Sequence, residues 1–167
     1  LLGSGFLHIG LFHLLVNMFA LYIIGRDVEA ILGRARYVAV YAVSLLGGST
    51  SVMLLESPIT VTAGASGAIF GLLGAQAVIL VKLRRSATPV LVIVALNIVI
   101  SISIPGISLW GHTGGLVAGA LATAGILFLP GSMRSPRIGW AAVAAVAALA
   151  LAIIGVRVLD LRAQMGV

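Results

Sequence analysis

The chain has 167 residues, 61% hydrophobic and 8% charged, with a mean hydropathy of +1.24. A soluble domain is about 25% charged, so this composition excludes a water-soluble globule. There is no cysteine, which removes disulfides and thiol chemistry, and the net charge of +6 is spread over short clusters between apolar runs, which argues against a nucleic-acid partner.

Apolar runs of about 18 residues or more read as membrane-spanning helices, because about 20 helical residues cross a hydrocarbon layer of about 30 Å. In chain order, six such runs can be marked: residues 6–24, 36–55, 66–81, 89–104, 111–129 and 139–158. The fourth is short and interrupted by Asn97. None alternates apolar and polar residues as barrel strands do. The expected fold is therefore all-α, a polytopic bundle of transmembrane helices. The chain begins at Leu1 without an initiator methionine or a basic leader, which does not fit a secretory signal. It is expected to be a piece of a longer protein.

The basic residues orient the spans. Arg26, Arg34 and Arg36 lie between spans one and two, Lys82, Arg84 and Arg85 between three and four, and Arg134 and Arg137 between five and six. Those are alternate loops, and the positive-inside rule makes them cytoplasmic. The opposite loops hold Glu56 and no lysine or arginine. Spans one, three and five then run from the outside inward. At 1.5 Å per residue, Ser66 stands roughly 24 Å above Lys82 and His13 roughly 20 Å above Arg26. His112 is a little higher above Arg134. His13, Asn17, Ser66 and His112 all fall in the outer half of the membrane at similar depth. Polar groups there are expensive and are functional candidates by default.

Each candidate also has a structural reading. Ser66 lies in "TAGASGAIFGLLG", where Gly67, Gly71 and Gly74 fall at helical spacing and suit close packing of a neighbouring helix. The stretch is not the G-x-S-x-G elbow of soluble hydrolases, because position 68 is alanine. His112, in "WGHTGGLVAGAL", could be interfacial beside Trp110, and Gly111, Gly115 and Gly119 form a second small-residue stripe. The two stripes suggest that spans three and five pack together, which would bring Ser66 within reach of His112. His13 and Asn17, four apart, share a helix face; Asn17 could simply bond a neighbouring helix. A metal site on His8, His13 and His112 is the other alternative, but no Cys or carboxylate joins them at ligand spacing. No acid lies in a span near His112, so serine chemistry would run on a dyad.

"HIGLFHLLVNMFALYIIGRDVEAILG", "GASG" and "GHTGGLVAG", in this order, resemble the rhomboid intramembrane serine proteases. The first stretch carries H-x-x-x-N and the downstream glycines and acid at Gly25, Glu29 and Gly33; the second carries G-x-S-G. The third carries a histidine followed by glycines. The resemblance covers about residues 7–129. It implies Ser66 as nucleophile and His112 as general base, with His13, Asn17 and the Ser66 backbone N–H holding the oxyanion. It further implies that Phe70 packs on the base histidine, that Gly115 and Gly119 let the two catalytic helices touch, and that Gly64 and Gly67 let the backbone turn beside the serine.

The family's core has six helices, with these motifs in its second, fourth and sixth. Here they fall in spans one, three and five, so the resemblance implies that the first core helix is missing and that residues 1–5 are the tail of the outer loop after it. Residues 1–129 would be the protease core, 130–138 a cytoplasmic linker and 139–167 an additional C-terminal helix and tail. The implied activity is endopeptidase cleavage, without cofactor or metal, of transmembrane segments of other membrane proteins, entering beside span four. The rival readings are a catalytically inactive rhomboid-like protein that binds and escorts membrane clients, and a transporter or channel, for which only Gln76 and Asn97 lie deep in the bundle. The alanine, glycine and arginine bias points to a bacterial plasma membrane with the site opening to the outer face; a mitochondrial inner membrane is the alternative.

Overall fold

In the computed structural model, residues 3–57, 62–130 and 135–166 are described, and they form six helices after a short 3-10 turn at Gly3–Phe6. The helices are α1 (Gly10–Leu32), α2 (Arg34–Leu55), α3 (Ser66–Lys82), α4 (Thr88–Ser103), α5 (Leu109–Phe128) and α6 (Pro136–Met165). Among the described residues there is no strand. The helices α1, α2, α5 and α6 are long and apolar enough to cross a membrane, whereas α3 and α4 are apolar but shorter, at 17 and 16 residues. Many large apolar side chains of α1 point outward, among them Phe12, Leu15, Phe19 and Tyr22. That pattern suits contact with hydrocarbon.

The boundaries expected for spans two to five hold to within two residues; those of the first and last do not. Span one was expected to end at residue 24, with Arg26 and Glu29 in a loop. Instead α1 continues to Leu32. Its charged residues lie on one side, while Gly25, Val28 and Leu32 continue the buried stripe at spacings of three and four. The loop reduces to Gly33, at φ +78°, whose N–H bonds the Glu29 carbonyl at 2.8 Å. This backbone conformation favours glycine. Arg34 opens α2 at once, its guanidinium 3.3 Å from Glu29. At the other end α1 starts four residues later than expected, after the turn in which Gly10 N–H bonds the His8 carbonyl. The last span extends three residues earlier and seven later, so Asp160 lies inside α6 rather than after it. Arg157, inside the expected span, pairs with Asp160 and donates to the Met53 carbonyl at 3.3 Å, joining α6 to the end of α2. Leu1, Leu2 and Arg134 lie outside the described residues.

Two ends of the bundle differ. At one end sit the N-termini of α1, α3 and α5 with their polar residues. At the other lie Arg34, Arg36, Lys82 and Arg137, and the Lys82 ammonium rests 4.6 Å from the Phe128 ring centroid. The main apolar core belongs to this basic end and joins Val28 and Leu32 of α1 to Val40, Ile79, Ile126 and Val143.

Between α3 and α5 the helices touch backbone to backbone. A Cβ on Gly115 would stand 1.9 Å from the Gly67 carbonyl oxygen, and one on Gly119 would stand 2.2 Å from that of Gly71. Without a hydrophobic drive between helices in lipid, such close van der Waals contact is the main source of association. Gly119→Val is therefore expected to cost about 1–3 kcal/mol or more, because neither helix can yield without losing the contact. A Cβ on Gly155, by contrast, meets nothing within 4 Å. Gly155→Ala is expected to leave stability unchanged or to raise it by up to about 1 kcal/mol. Unfolding of both variants in detergent checks the pair.

Candidate active site

The polar heads of α1, α3 and α5 surround a cavity of about 690 Å³, which Asn97 of α4 also lines. Ser66 is the first residue of α3 and half-buried there. Ala65 precedes it without a side-chain cap, so the first N–H groups of the helix are left for other acceptors. The dipole of α3 adds partial positive charge at the same point. Gly64 has φ +123°, and a Cβ on it would come within 2.9 Å of His13 Nε2. Both the backbone conformation and the neighbouring imidazole thus require glycine at this position.

His112, buried in the first turn of α5, lies with Nε2 2.8 Å from Ser66 Oγ. Phe70, one turn along α3 from the serine, stacks on the imidazole with ring centroids 4.1 Å apart and planes 7° from parallel. On the far side of the ring, Nδ1 is 2.8 Å from Ser101 Oγ on α4. Among the described residues no carboxylate bonds His112. Glu56, just after α2, instead accepts from Ser108 Oγ, and Ser108 caps α5 by accepting the Gly111 N–H at 2.8 Å. The His112 N–H bonds the Ser108 carbonyl at 3.2 Å. Glu56 therefore fixes the head of the helix that carries the histidine.

The tautomer of His13 follows from its contacts. Its Nδ1 accepts the Ile9 N–H at 3.2 Å, so the ring proton sits on Nε2, the atom turned toward Gly64. Asn17 is buried one turn further down, lines the same cavity, and donates one amide hydrogen to the His13 carbonyl at 2.8 Å. A carboxamide has two such hydrogens. His8 packs edge-on against His13 with ring centroids 5.2 Å apart. Among the described residues, no group of three or more His, Cys, Asp and Glu side chains is arranged to hold a metal ion. Gln76, expected deep in the bundle, donates instead to Asp27 at 3.3 Å in an exposed position.

The nine residues to which the resemblance gives a role at the site lie at or beside one junction: Ser66, His112, His13 and Asn17 on the cavity, Phe70 on the imidazole, Gly64 and Gly67 beside the serine, and Gly115 and Gly119 on the α3–α5 seam. Sequence reasoning missed Ser101 and Ser108. Ser108 was findable as an N-cap residue just ahead of the fifth apolar run. Ser101 had no comparable signal, because α4 is apolar all round and only the fold shows that Val90, Val94 and Ser101 form its buried face.

A family model for the rhomboid domain matches residues 1–129. The chain belongs to the rhomboid family. The rhomboid protease GluP of Bacillus subtilis (strain 168) is 35% identical over 153 residues, covering 88% of this chain and 29% of that protein. RHOMBOID-like protein 4 of Arabidopsis thaliana is 36% identical over 137 residues, covering 78% and 34%. RHOMBOID-like protein 6, mitochondrial, from the same plant is 34% identical over 148 residues, covering 84% and 45%. The chain thus spans under half the length of these curated relatives. With its apolar helices, this rhomboid chain is an integral membrane protein.

Because Ser108 is the N-cap of α5 and its hydroxyl accepts the Gly111 N–H, Ser108→Ala is expected to destabilise the rhomboid bundle by about 1 kcal/mol. Ser108→Asp would restore the cap but set a second carboxylate against Glu56, and is expected to recover less than Ser108→Thr. Equilibrium unfolding of the three variants in detergent tests the order.

Proposed function

We propose that the chain is the catalytic part of an intramembrane serine endopeptidase that cleaves transmembrane segments of other membrane proteins with Ser66 and His112. The single observation that carries this reading is the 2.8 Å contact between Ser66 Oγ and His112 Nε2 at the head of α3. Membership of the rhomboid family and likeness to a rhomboid protease support it.

In this mechanism His112 Nε2 takes the hydroxyl proton as Ser66 Oγ bonds to the scissile carbonyl carbon. The carbonyl electrons move onto its oxygen. The oxyanion is held by the Ser66 N–H, His13 Nε2–H and the second amide hydrogen of Asn17, donors of the kind that supply several kcal/mol in a dry site. Collapse breaks the C–N bond, and His112 returns its proton to the leaving amine. Water then attacks the acyl-serine, losing its proton to His112, and the ester bond breaks as His112 passes that proton to Ser66 Oγ, freeing the acid and restoring both residues. The cavity is lined largely by apolar side chains, among which His13, Asn17, Ser66 and His112 offer water polar partners. The basic residues at the opposite end of the bundle support an orientation in which the site opens to the outer face of a bacterial plasma membrane.

Incubating the full-length protein with a model transmembrane substrate in proteoliposomes tests the reading. Ser66→Ala is expected to abolish cleavage and fluorophosphonate labelling, and His112→Ala to lower cleavage by about 10²–10⁴-fold. Equal cleavage by native protein and Ser66→Ala would overturn the serine mechanism. Absence of cleavage by the native protein would favour a binding and escort role.

A further inference from the structure

The contacts of one hydroxyl on α4 have a bearing on the state of the base. Ser101 is buried, with its Oγ 2.8 Å from the Asn97 carbonyl and 2.8 Å from His112 Nδ1. A carbonyl oxygen only accepts, and a serine hydroxyl has one hydrogen. If that hydrogen pointed at Nδ1, two oxygen lone pairs would face each other at hydrogen-bond distance in a buried place. Donating to Asn97 satisfies both contacts, and Ser101 Oγ then accepts from Nδ1–H. The imidazole proton is fixed on Nδ1, and Nε2 is left with its lone pair toward Ser66 Oγ. The ring is held at three points: Ser101 at one nitrogen, Ser66 at the other and Phe70 across its face.

Resting on the serine-protease reading above, we propose that Ser101 is a positioning residue for His112, setting through the Asn97 carbonyl the tautomer and rotation that let the imidazole act as a base. It fills the place that a carboxylate takes in a Ser-His-Asp triad, with a neutral acceptor in its stead. The chain of donors runs Ser66 O–H to Nε2, Nδ1–H to Ser101 Oγ, and Ser101 O–H to the Asn97 carbonyl. All three donors point the same way, so each bond polarises the next. When Nε2 gains the serine proton, Nδ1–H remains a donor and Ser101 needs no rearrangement to hold it. The orientation of the base therefore depends on where α4 sits, and α4 buries only Val90, Val94 and Ser101.

The test is made on the full-length protein with Ser101→Ala and Ser101→Thr. Ser101→Ala is expected to lower kcat about 10- to 100-fold, the effect of leaving one buried N–H without an acceptor, with KM within about twofold. Ser101→Thr keeps the hydroxyl and is expected to recover most of the loss. Nitrogen-15 spectra of histidine-labelled protein, with the His112 signals assigned by their loss in His112→Ala, give a readout independent of cleavage. Native protein and Ser101→Thr should show Nδ1 protonated and Nε2 bare, and Ser101→Ala a mixture of the two tautomers. An unchanged tautomer in Ser101→Ala, or native His112 protonated on Nε2, overturns the proposal whether or not the protein cleaves. If Ser66→Ala abolishes cleavage while Ser101→Ala retains native kcat, the serine mechanism stands and the role of Ser101 falls.

Discussion

The backbone contact between α3 and α5 is the constraint on which the rest of the site depends. Ser66 and His112 stand at the heads of these two helices, so their separation is set by how closely the helix axes approach. With no Cβ at Gly115 or Gly119, the carbonyl oxygens of Gly67 and Gly71 lie where side chains would otherwise be. Any larger residue would push the seam open and carry the imidazole away from the hydroxyl. Helix association in lipid draws little from the hydrophobic effect and much from such contact. The same glycines that hold the bundle together therefore also bring its polar residues into register.

A second constraint is the cost of placing polar groups in an apolar medium. Each must find a partner, and the partners found here determine direction as well as stability. The Ile9 N–H bonds His13 Nδ1, which leaves the outward proton on Nε2. The Asn17 amide gives one hydrogen to the His13 carbonyl and keeps another. Ser108 is bound by Glu56 and in turn caps the helix of His112. None of these bonds involves Ser66 Oγ or His112 Nε2, yet together they decide which atoms face the cavity as donors and which as acceptors.

Much of this was legible in the sequence, for physical reasons that also explain the exceptions. Apolar length marked the helices, alternate clusters of arginine and lysine marked which of their ends lie together, and the ordered motifs singled out residues that lie around one junction. Charge was a poor guide to helix ends. Arg26, Asp27 and Glu29 looked like a loop because a membrane span should shed its charges. In the fold, α1 extends beyond its most apolar stretch, with those residues on one side and Val28 and Leu32 on the other. Arg157 was hidden in an apolar run because its partners, Asp160 and the Met53 carbonyl, are a turn away and on another helix. Ser101 was silent because a serine in a membrane helix can always bond the carbonyl four residues back, as Ser103 does with Val99. Only the fold shows that His112 lies on its other side.

The distribution of apolar packing accounts for how such a site can coexist with a stable bundle. The main core sits at the basic end, where Val28, Val40, Ile79 and Ile126 are almost wholly enclosed. The polar end has glycine contacts, hydrogen bonds and a cavity in place of large side chains. Apolar burial stabilises about 25 cal/mol per Å² regardless of direction, so the core can anchor the helices without specifying the site. Hydrogen bonds contribute less each but demand angle and distance, so the polar end can specify geometry without carrying the bulk of the stability. A cavity beside the serine would weaken a protein that relied on that end for its packing. Here its cost is offset some three to four turns away along α3, around Ile79, and the polar groups of the site are held by direction rather than by density.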